Sequence, residues 1–250
     1  DDNDIEIKVR IGLGAPRPPQ GPTTVLDFEP PLPSGLVPMS FFHGTPVPPQ
    51  ARVTTQFAAL GILMGNAAVV NLGVGHAASG SNGISPVGGN GAVDYTSPIT
   101  FTFVSPTDGL SPQSADYFAI STDRAGGSQN TVRVSGYAVD GRLVGSVSHL
   151  ETERCPPQRP SCDLSVTIRL QGIGQFHRVI VQPSVSNPAD GGIALDLVSF
   201  RLAGPAPPAL TTSLGSLSFI FEEGGEMPPP QNVLVGSTGV PLGFTATTLG

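Results

Sequence analysis

Apolar and polar residues alternate along much of the chain with a period of two, which is typical of β-strands that bury one face. Helix signals are nearly absent, because no long segment keeps a 3.6-residue period behind a capping residue. The pattern predicts strands, bounded by Gly, Pro, Asn and Asp, at residues 99–104, 116–122, 131–139, 142–150, 164–170, 176–183 and 193–200. This spacing indicates an all-β sandwich or jelly roll.

One of these strands, IALDLVSF at residues 193–200, contains a carboxylate among apolar residues. Strict alternation places Asp196 on the same face as Ala194, Val198 and Phe200. If that face is the core, the carboxylate must be paired, hydrogen-bonded or bound to a metal. The strand therefore predicts a partner for Asp196 elsewhere in the chain.

Two Pro-rich segments divide the chain. Residues 15–24 and 203–209 are predicted to be stiff linkers, and residues 25–202 between them a single jelly-roll β-sandwich. Residues 210–250 hold about three strands, which is fewer than the roughly seven of a complete sandwich. We expect an incomplete Ig-like module there.

Residues 1–14 form an amphipathic strand without an adjacent hairpin partner. Its apolar face comprises Ile5, Ile7, Val9, Ile11 and Leu13. One interpretation is a donor strand that enters a groove on a neighbouring copy, since an isolated strand cannot hide its apolar face or its backbone groups. The other is that the strand folds back onto its own jelly roll.

The composition favours an extracellular protein. Charged residues make up only 12% of the 250 residues, and weakly charged, turn-rich chains are common among extracellular β proteins. The chain begins with Asp1, as a processed secreted protein or a trimmed one would. The net charge of -7 makes nucleic acid an unlikely partner.

The two cysteines, Cys155 and Cys162, enclose a Pro-rich loop, CPPQRPSC. A local disulfide is favoured over two free thiols. Zinc binding is disfavoured, because the paired short spacings of zinc sites are missing.

Two other readings of the chain are disfavoured. Residues 57–75 carry no charge, but Asn66, Asn71 and four glycines predict two strands with a turn and no membrane span. Catalysis is not expected, because there is no Gly-x-Ser-x-Gly motif and the four histidines are scattered.

An ordered set of motifs carries a resemblance to a known family. The motifs are LDFEP (26–30), TQFAALGILM (55–64), ITFTFVSP (99–106), YAVDGRLVG (137–145) and GGIALDLVSF (191–200). In this order they resemble the galactose-binding-like jelly rolls of bacterial secreted and surface proteins, including those of the exosortase-sorted type. Phe57 stands where those proteins usually have Tyr.

The resemblance implies a structural calcium ion between the first and last strands of the jelly roll. Glu29 (or Asp27) and Asp196 would be its carboxylate ligands, and backbone oxygens would complete the coordination. The alternative is that Asp196 accepts hydrogen bonds from loop N–H groups or points into solvent. The resemblance also suggests carbohydrate binding, although a chain with no Trp and three Tyr offers few rings for stacking on sugars.

The tail from residue 213 to 247 is similar to the opening strands of bacterial Ig-like repeats of the BACON type. Two functions follow from these features. The first is a non-enzymatic extracellular protein that assembles with copies of itself, by strand exchange, into a filament or surface array. The alternative is a calcium-stabilised module of a larger secreted protein, which binds surface polysaccharide or mediates adhesion.

Overall fold

The computed structural model describes residues 8–9, 22–33, 35–40, 42–73, 77–126, 130–151, 166–185, 191–204, 210–213, 224–227, 229–237 and 248–249. The predicted disulfide between Cys155 and Cys162 lies outside these residues and stays a prediction. Of the predicted exchange face, only the backbone of Val9 is described, so Ile5, Ile7, Ile11 and Leu13 are likewise untested.

Strands dominate the described residues, which also form two 3₁₀ helices at Pro49–Ala51 and Ala58–Leu60. The strands are β1 (Lys8–Val9), β2 (Thr24–Leu26), β3 (Met39–Ser40), β4 (Arg52–Val53), β5 (Ile62–Gly65), β6 (Ala67–Asn71), β7 (Asn82–Pro86), β8 (Ile99–Phe103), β9 (Ala115–Gly126), β10 (Asn130–Tyr137), β11 (Leu143–Glu151), β12 (Val166–Phe176), β13 (Arg178–Val185), β14 (Gly191–Leu202), β15 (Leu210–Thr212), β16 (Val235–Ser237) and β17 (Thr248–Leu249).

Two sheets pack face to face as a jelly-roll sandwich, which confirms the predicted fold class. One sheet has the order β11-β10-β13-β8-β5. The other has the order β12-β9-β14-β7-β6-β3, with β2 added to β14 and β4 added to β6. Strands distant in sequence are therefore neighbours, and the first strand of the sandwich, β2, lies beside its last strand, β14.

Phenylalanine rings fill the space between the sheets. In β8, strict alternation buries Ile99, Phe101 and Phe103 and turns the intervening threonines outward. The ring of Phe103 lies 5.5 Å from that of Phe200 and 5.9 Å from that of Phe176, measured between centroids. Because Phe103 belongs to one sheet and Phe200 to the other, this contact ties the sandwich together.

A hairpin joins β10 and β11, and its turn is longer than the two residues that the sequence Asp140-Gly141 favours. The N–H of Gly141 donates to the carbonyl of Ala138 at 3.0 Å, and the N–H of Ala138 donates to the carbonyl of Arg142 at 2.9 Å. Gly141 has a φ of 85°. These contacts make a three-residue loop in which glycine occupies the left-handed position.

The uncharged segment 57–75 forms the second 3₁₀ helix and strands β5 and β6 over its described part, as predicted. No helix among the described residues is long and apolar enough to cross a membrane.

The chain divides into two compact units, residues 20–203 and residues 1–19 together with 204–250. In the second unit, Lys8 pairs with Leu249 and Val9 with Thr248 in an antiparallel ladder, and β15 pairs with β16. The two described residues of the N-terminal strand thus pair with the C-terminal segment of their own chain. The sequence analysis considered a neighbouring copy or the jelly roll, and neither is the partner observed here.

The role of the aromatic core gives a first prediction. Phe103→Ala should lower the free energy of unfolding by about 3–5 kcal/mol, because it removes a buried ring that contacts both sheets. Urea denaturation measures the loss. Phe42→Ala is the control, since that ring is 69% exposed, and it should change stability by less than about 0.5 kcal/mol. Equal losses for the two variants would contradict this account of the core.

Candidate functional site

A β-bulge determines where Asp196 points. Strand β14 advances three residues from Asp196 to Ser199, while its partner β9 advances only two, from Ser121 to Ala119. Leu197, the residue after Asp196, has a φ of 46°, in the left-handed region. The predicted face-sharing of Asp196 with Val198 and Phe200 is therefore wrong, because the extra residue reverses the alternation.

Asp196 lies on the outward face of its sheet and is nevertheless completely buried. Leu195, Val198 and Phe200 are the β14 residues that enter the core cluster, while Asp196 itself has 0% exposure. The loop before β7 covers it: Ser79 donates to one carboxylate oxygen through its backbone N–H at 2.7 Å and through its Oγ at 2.8 Å. The N–H of Leu197 donates to the other oxygen at 2.7 Å.

Glu29 binds the same loop from the other side. Its Oε1 accepts hydrogen bonds from the N–H groups of Ser81 and Asn82, both at 2.7 Å, and its Oε2 accepts one from Asn82 Nδ2 at 3.1 Å. Gly80 is required between them, since a Cβ there would lie 2.7 Å from Cδ of Glu29. Its φ of 143° is also a conformation that side-chain-bearing residues avoid.

The third predicted ligand, Asp27, plays a lesser part. Its carboxylate is exposed and accepts a hydrogen bond from the N–H of Glu29 at 3.2 Å. Its backbone carbonyl oxygen lies 3.0 Å from Ser79 Oγ and shares that hydroxyl's one proton with Asp196. The structure thus brings Glu29 and Asp196 together on one loop, which we call the Ser79–Asn82 loop, and adds the Asp27 carbonyl to it.

Backbone strain is concentrated at this site. The described chain has three non-glycine residues with positive φ, and two of them, Phe28 at 58° and Leu197 at 46°, directly adjoin Glu29 and Asp196. Such conformations cost about 1–3 kcal/mol each and persist where the surroundings fix them. Here the bulge and the turn at Phe28 aim two carboxylates at a single loop.

The charges at this site are not neutralised by any cationic side chain described. The hydrogen bonds to Asp196 and Glu29 come from backbone amides, a hydroxyl and an amide. Burial raises the pKa of Asp196 above its ordinary value of 3.8, and the nearby charge of Glu29 raises it further, while hydrogen bonds from Ser79 and Leu197 oppose the change.

The donor set at the loop consists of oxygens and therefore suits a hard cation such as calcium. Asn82 Oδ1 is buried and has no hydrogen-bond partner among the described residues, although its Nδ2 is bonded to Glu29. Against a metal, no group of three or more His, Cys, Asp or Glu side chains is arranged for one in the described ranges. The carboxylates of Asp196 and Glu29 also each accept three hydrogen bonds. This arrangement fits the alternative prediction for Asp196, in which its carboxylate accepts hydrogen bonds from loop N–H groups and binds no metal.

A second candidate site is the outward face of the five-stranded sheet. One row of cross-strand neighbours crosses all five strands, in the order Leu143, Tyr137, Arg178, Thr102 and Leu63. The adjoining row contains Ser146, Ser135, Ile180, Thr100 and Gly65, and the row after it contains Ser148, Arg133 and Gln182. We call the following residues the polar face: Tyr137, Arg178, Thr102, Thr100, Ser135, Ser146, Arg133, Ser148 and Gln182.

The polar face is preorganised at its centre. The guanidinium carbon of Arg178 lies 5.3 Å from the ring centroid of Tyr137, its cross-strand neighbour. Arg133 lies in the next row but one and reaches Ser146 Oγ at 3.4 Å. The side-chain amide of Gln182 donates through Nε2 to the carbonyl of Thr96 at 2.7 Å. Several of these side chains are therefore fixed before any ligand arrives.

A groove of about 510 Å³ lies beside β2. Its aromatic residues, Phe28 and Phe57, are buried and meet edge to face. Its amide, Gln56, is occupied internally, because Oε1 accepts from the N–H of Thr54 and Nε2 donates to the carbonyl of Arg52. The groove therefore offers few free polar groups for recognising a ligand.

No protein family model matches the chain, and no curated protein matches it. Among solved structures it is similar to a DUF4465 family protein from Bacteroides caccae, with 11% identity and a TM-score of 0.39 over 80% of this chain and 99% of that one. It is also similar to the CBM22-1 xylan-binding domain from Paenibacillus barcinonensis, with 14% identity and a TM-score of 0.33 over 75% of this chain and 98% of that one.

A third similar structure is that of the CBM22-1–GH10 modules of an endo-1,4-β-D-xylanase from Clostridium thermocellum, with 9% identity and a TM-score of 0.30 over 67% of this chain and 29% of that one. All three are β-sandwich likenesses at scores too low to carry an argument about ligand or activity. Nothing among them supports the exosortase-sorted or BACON-type resemblances, which stay predictions.

Several residues of both sites were not singled out by the sequence analysis. Ser79, Gly80 and Asn82 lie in a Gly-rich segment that has no alternation of apolar and polar residues. The apolar strand around Asp196 predicts a partner for the carboxylate, but a local pattern cannot identify a partner more than a hundred residues away in sequence. Tyr137 and Arg178 could have been found from the alternation of β10 and β13, which turns both residues away from the core.

The raised pKa of Asp196 gives a prediction for protein freed of metal with EDTA. A carboxylate whose pKa is raised by folding binds its proton more tightly in the folded state, so its contribution favours folding below the ordinary value of 3.8 and is lost as pH rises through the folded-state pKa. The free energy of unfolding of wild type minus that of Asp196→Asn should therefore be larger at pH 4 than at pH 7, measured by urea denaturation. A difference that increases with pH would refute the assignment.

Proposed function

We propose that this chain is a non-enzymatic module that binds a polysaccharide on the polar face. The observation that carries the proposal is the row from Tyr137 through Arg178 to Thr102, which places an aromatic ring, a guanidinium and a hydroxyl side by side on one sheet. Sugars present hydroxyls that both donate and accept hydrogen bonds, and such a row offers matching groups.

The flatness of a sheet face suits a chain-like ligand. Cross-strand neighbours lie about 4.5–5.5 Å apart, so the polar face repeats hydrogen-bonding groups at a spacing comparable to the length of a sugar ring. Few of these groups need to be reorganised, because Arg178 and Gln182 are already held in place. Preorganisation reduces the entropy lost on binding.

Two further elements of the proposal rest on the resemblance to galactose-binding-like jelly rolls. We propose that the module works outside the cell, and that a calcium ion binds Glu29 and Asp196 at the Ser79–Asn82 loop. The support for the ion is local: two carboxylates without a cationic side chain, and the buried, unpartnered Asn82 Oδ1. The ion would stabilise the join between β2 and β14, while the polar face would bind the ligand.

Assembly by strand exchange, the other function predicted from the sequence, is not proposed. Its premise was an unpaired N-terminal strand, whereas Lys8 and Val9 pair with Leu249 and Thr248 of the same chain. Self-association stays a prediction that size-exclusion chromatography over a range of concentrations can test.

Affinity electrophoresis in gels containing soluble plant, algal and bacterial polysaccharides tests the proposed function. At least one polysaccharide should retard the protein, and Tyr137→Ala should abolish that retardation because it removes the ring that positions Arg178. Leu60→Ala, at the rim of the groove, should leave it unchanged. Loss of binding in Leu60→Ala alone would move the site to the groove, and release of reducing ends from the bound polysaccharide would contradict the non-enzymatic assignment.

Calcium should raise the melting temperature of EDTA-treated protein, because a ligand that binds only the folded state stabilises it by about 2.7 kcal/mol at a hundredfold excess over Kd. Asp196→Asn and Glu29→Gln should each remove most of this response. Asp140→Asn is the control, since Asp140 is an exposed acid at the β10–β11 turn, bonded to the N–H of Arg142. An identical melting curve in EDTA and in calcium would exclude the ion and leave hydrogen bonding as the whole role of Asp196.

A further inference from the structure

The polar face carries positive charge on a protein that is negative overall. The net charge of the chain is -7. The five strands of this sheet, residues 62–65, 99–103, 130–137, 143–151 and 178–185, nevertheless contain only one acidic residue, Glu151 at the end of β11. Arg133 and Arg178 lie on the face within these ranges, and neither forms an ion pair in the described part of the chain.

The other sheet contains the same arrangement of tyrosine and arginine with its charge neutralised. Tyr117 and Arg201 are cross-strand neighbours, and the guanidinium carbon of Arg201 lies 5.6 Å from the Tyr117 ring centroid. Arg201 also forms an ion pair with Asp116, with Nε 2.7 Å from Oδ1. In this arginine–tyrosine pair, the charge of the arginine is therefore neutralised by a carboxylate.

The pair on the polar face lacks that carboxylate. Arg178 is stacked over Tyr137 in the same cross-strand relation, but its Nε is buried and has no hydrogen-bond partner among the described residues. A buried donor without a partner destabilises a fold. Because this Nε is buried, a ligand can reach Arg178 only through its Nη groups, and a planar guanidinium matches a carboxylate or a sulfate group.

We propose that the ligand of the polar face is an anionic polysaccharide, and that Arg178 and Arg133 bind its carboxylate or sulfate groups. Arg178 is the counterpart of the arginine that forms the ion pair with Asp116 in the other sheet, and the ligand's anionic group would take the place of that carboxylate. Arg133 provides a second positive charge two rows away on the same face. Between them lies the exposed hydroxyl of Ser146, which then faces the sugar ring, whereas Ser135 is buried. The inference rests on the proposed function and specifies its ligand class.

The test compares ligands that differ only in charge. Binding is measured by isothermal titration calorimetry with polygalacturonate and with its methyl-esterified form, and with dextran sulfate and unsulfated dextran. At least one of the two anionic polymers should bind about tenfold or more tightly than its neutral counterpart, and added salt should weaken that binding by screening. Equal binding of the charged and neutral forms would overturn this inference and leave the proposed function standing.

Variants locate the effect on the face. Arg178→Gln should weaken binding of the anionic polymer about tenfold, and Arg178→Lys should restore only part of it, because lysine retains the charge but loses the planar fork. Arg133→Gln, at an exposed position, should also weaken binding and serves if the Arg178 variants fail to fold. Arg169→Gln, at an exposed position of β12 in the other sheet, should have no effect.

The remaining outcomes are also decisive. If Arg169→Gln weakens binding as much as Arg133→Gln, the attraction is that of dispersed charge and the assignment to the polar face is wrong. If folded protein binds neither these four polymers nor the wider polysaccharide panel, the proposed function itself fails.

Discussion

The buried carboxylate of Asp196 is the constraint on which one end of the sandwich depends. A buried carboxylate needs hydrogen-bond donors. The backbone N–H of Leu197 and the Ser79–Asn82 loop provide them, and the bulge at Leu197 directs Asp196 toward that loop. The same loop accommodates Glu29 only because Gly80 has no side chain. The join between the first and last strands is thus stabilised by polar contacts, whereas the interior depends on phenylalanine rings.

The two sheets use arginine differently. In the eight-stranded sheet, Arg201 is paired with Asp116 and contributes to the fold. In the five-stranded sheet, Arg178 keeps the stacking partner and has no acidic partner among the described residues. This missing counter-ion is the observation on which the proposed anionic ligand rests. This division separates the structural end of the molecule from the face proposed to recognise polysaccharide.

The sequence predicts those features that depend on neighbouring residues. In β8, the alternation of apolar residues with Thr100 and Thr102 is local and determines which face enters the core. The bulge at Leu197 is different, because a single left-handed residue reverses the alternation without changing the apolar character of the strand. Asp196 was therefore correctly marked as needing a partner and wrongly assigned to the core face. Its partner Ser79 is distant in sequence and lies in a segment with no strand pattern of its own.

The N-terminal strand shows more clearly what the alternation of apolar and polar residues cannot predict. The alternation of apolar and polar residues identifies residues 4–13 as an amphipathic strand. Because the backbone N–H and C=O groups of a strand need hydrogen-bond partners, the strand must pair with another strand. Neither observation specifies which strand edge is available for this pairing. The pairing of Lys8 and Val9 with Leu249 and Thr248 joins residues at opposite ends of the chain, where no local signal can record it. A C-terminal segment that looks incomplete in isolation therefore need not be completed by another molecule. Two residues of the N-terminus, Lys8 and Val9, pair with it in the same chain, so the absence of a hairpin partner does not by itself require assembly.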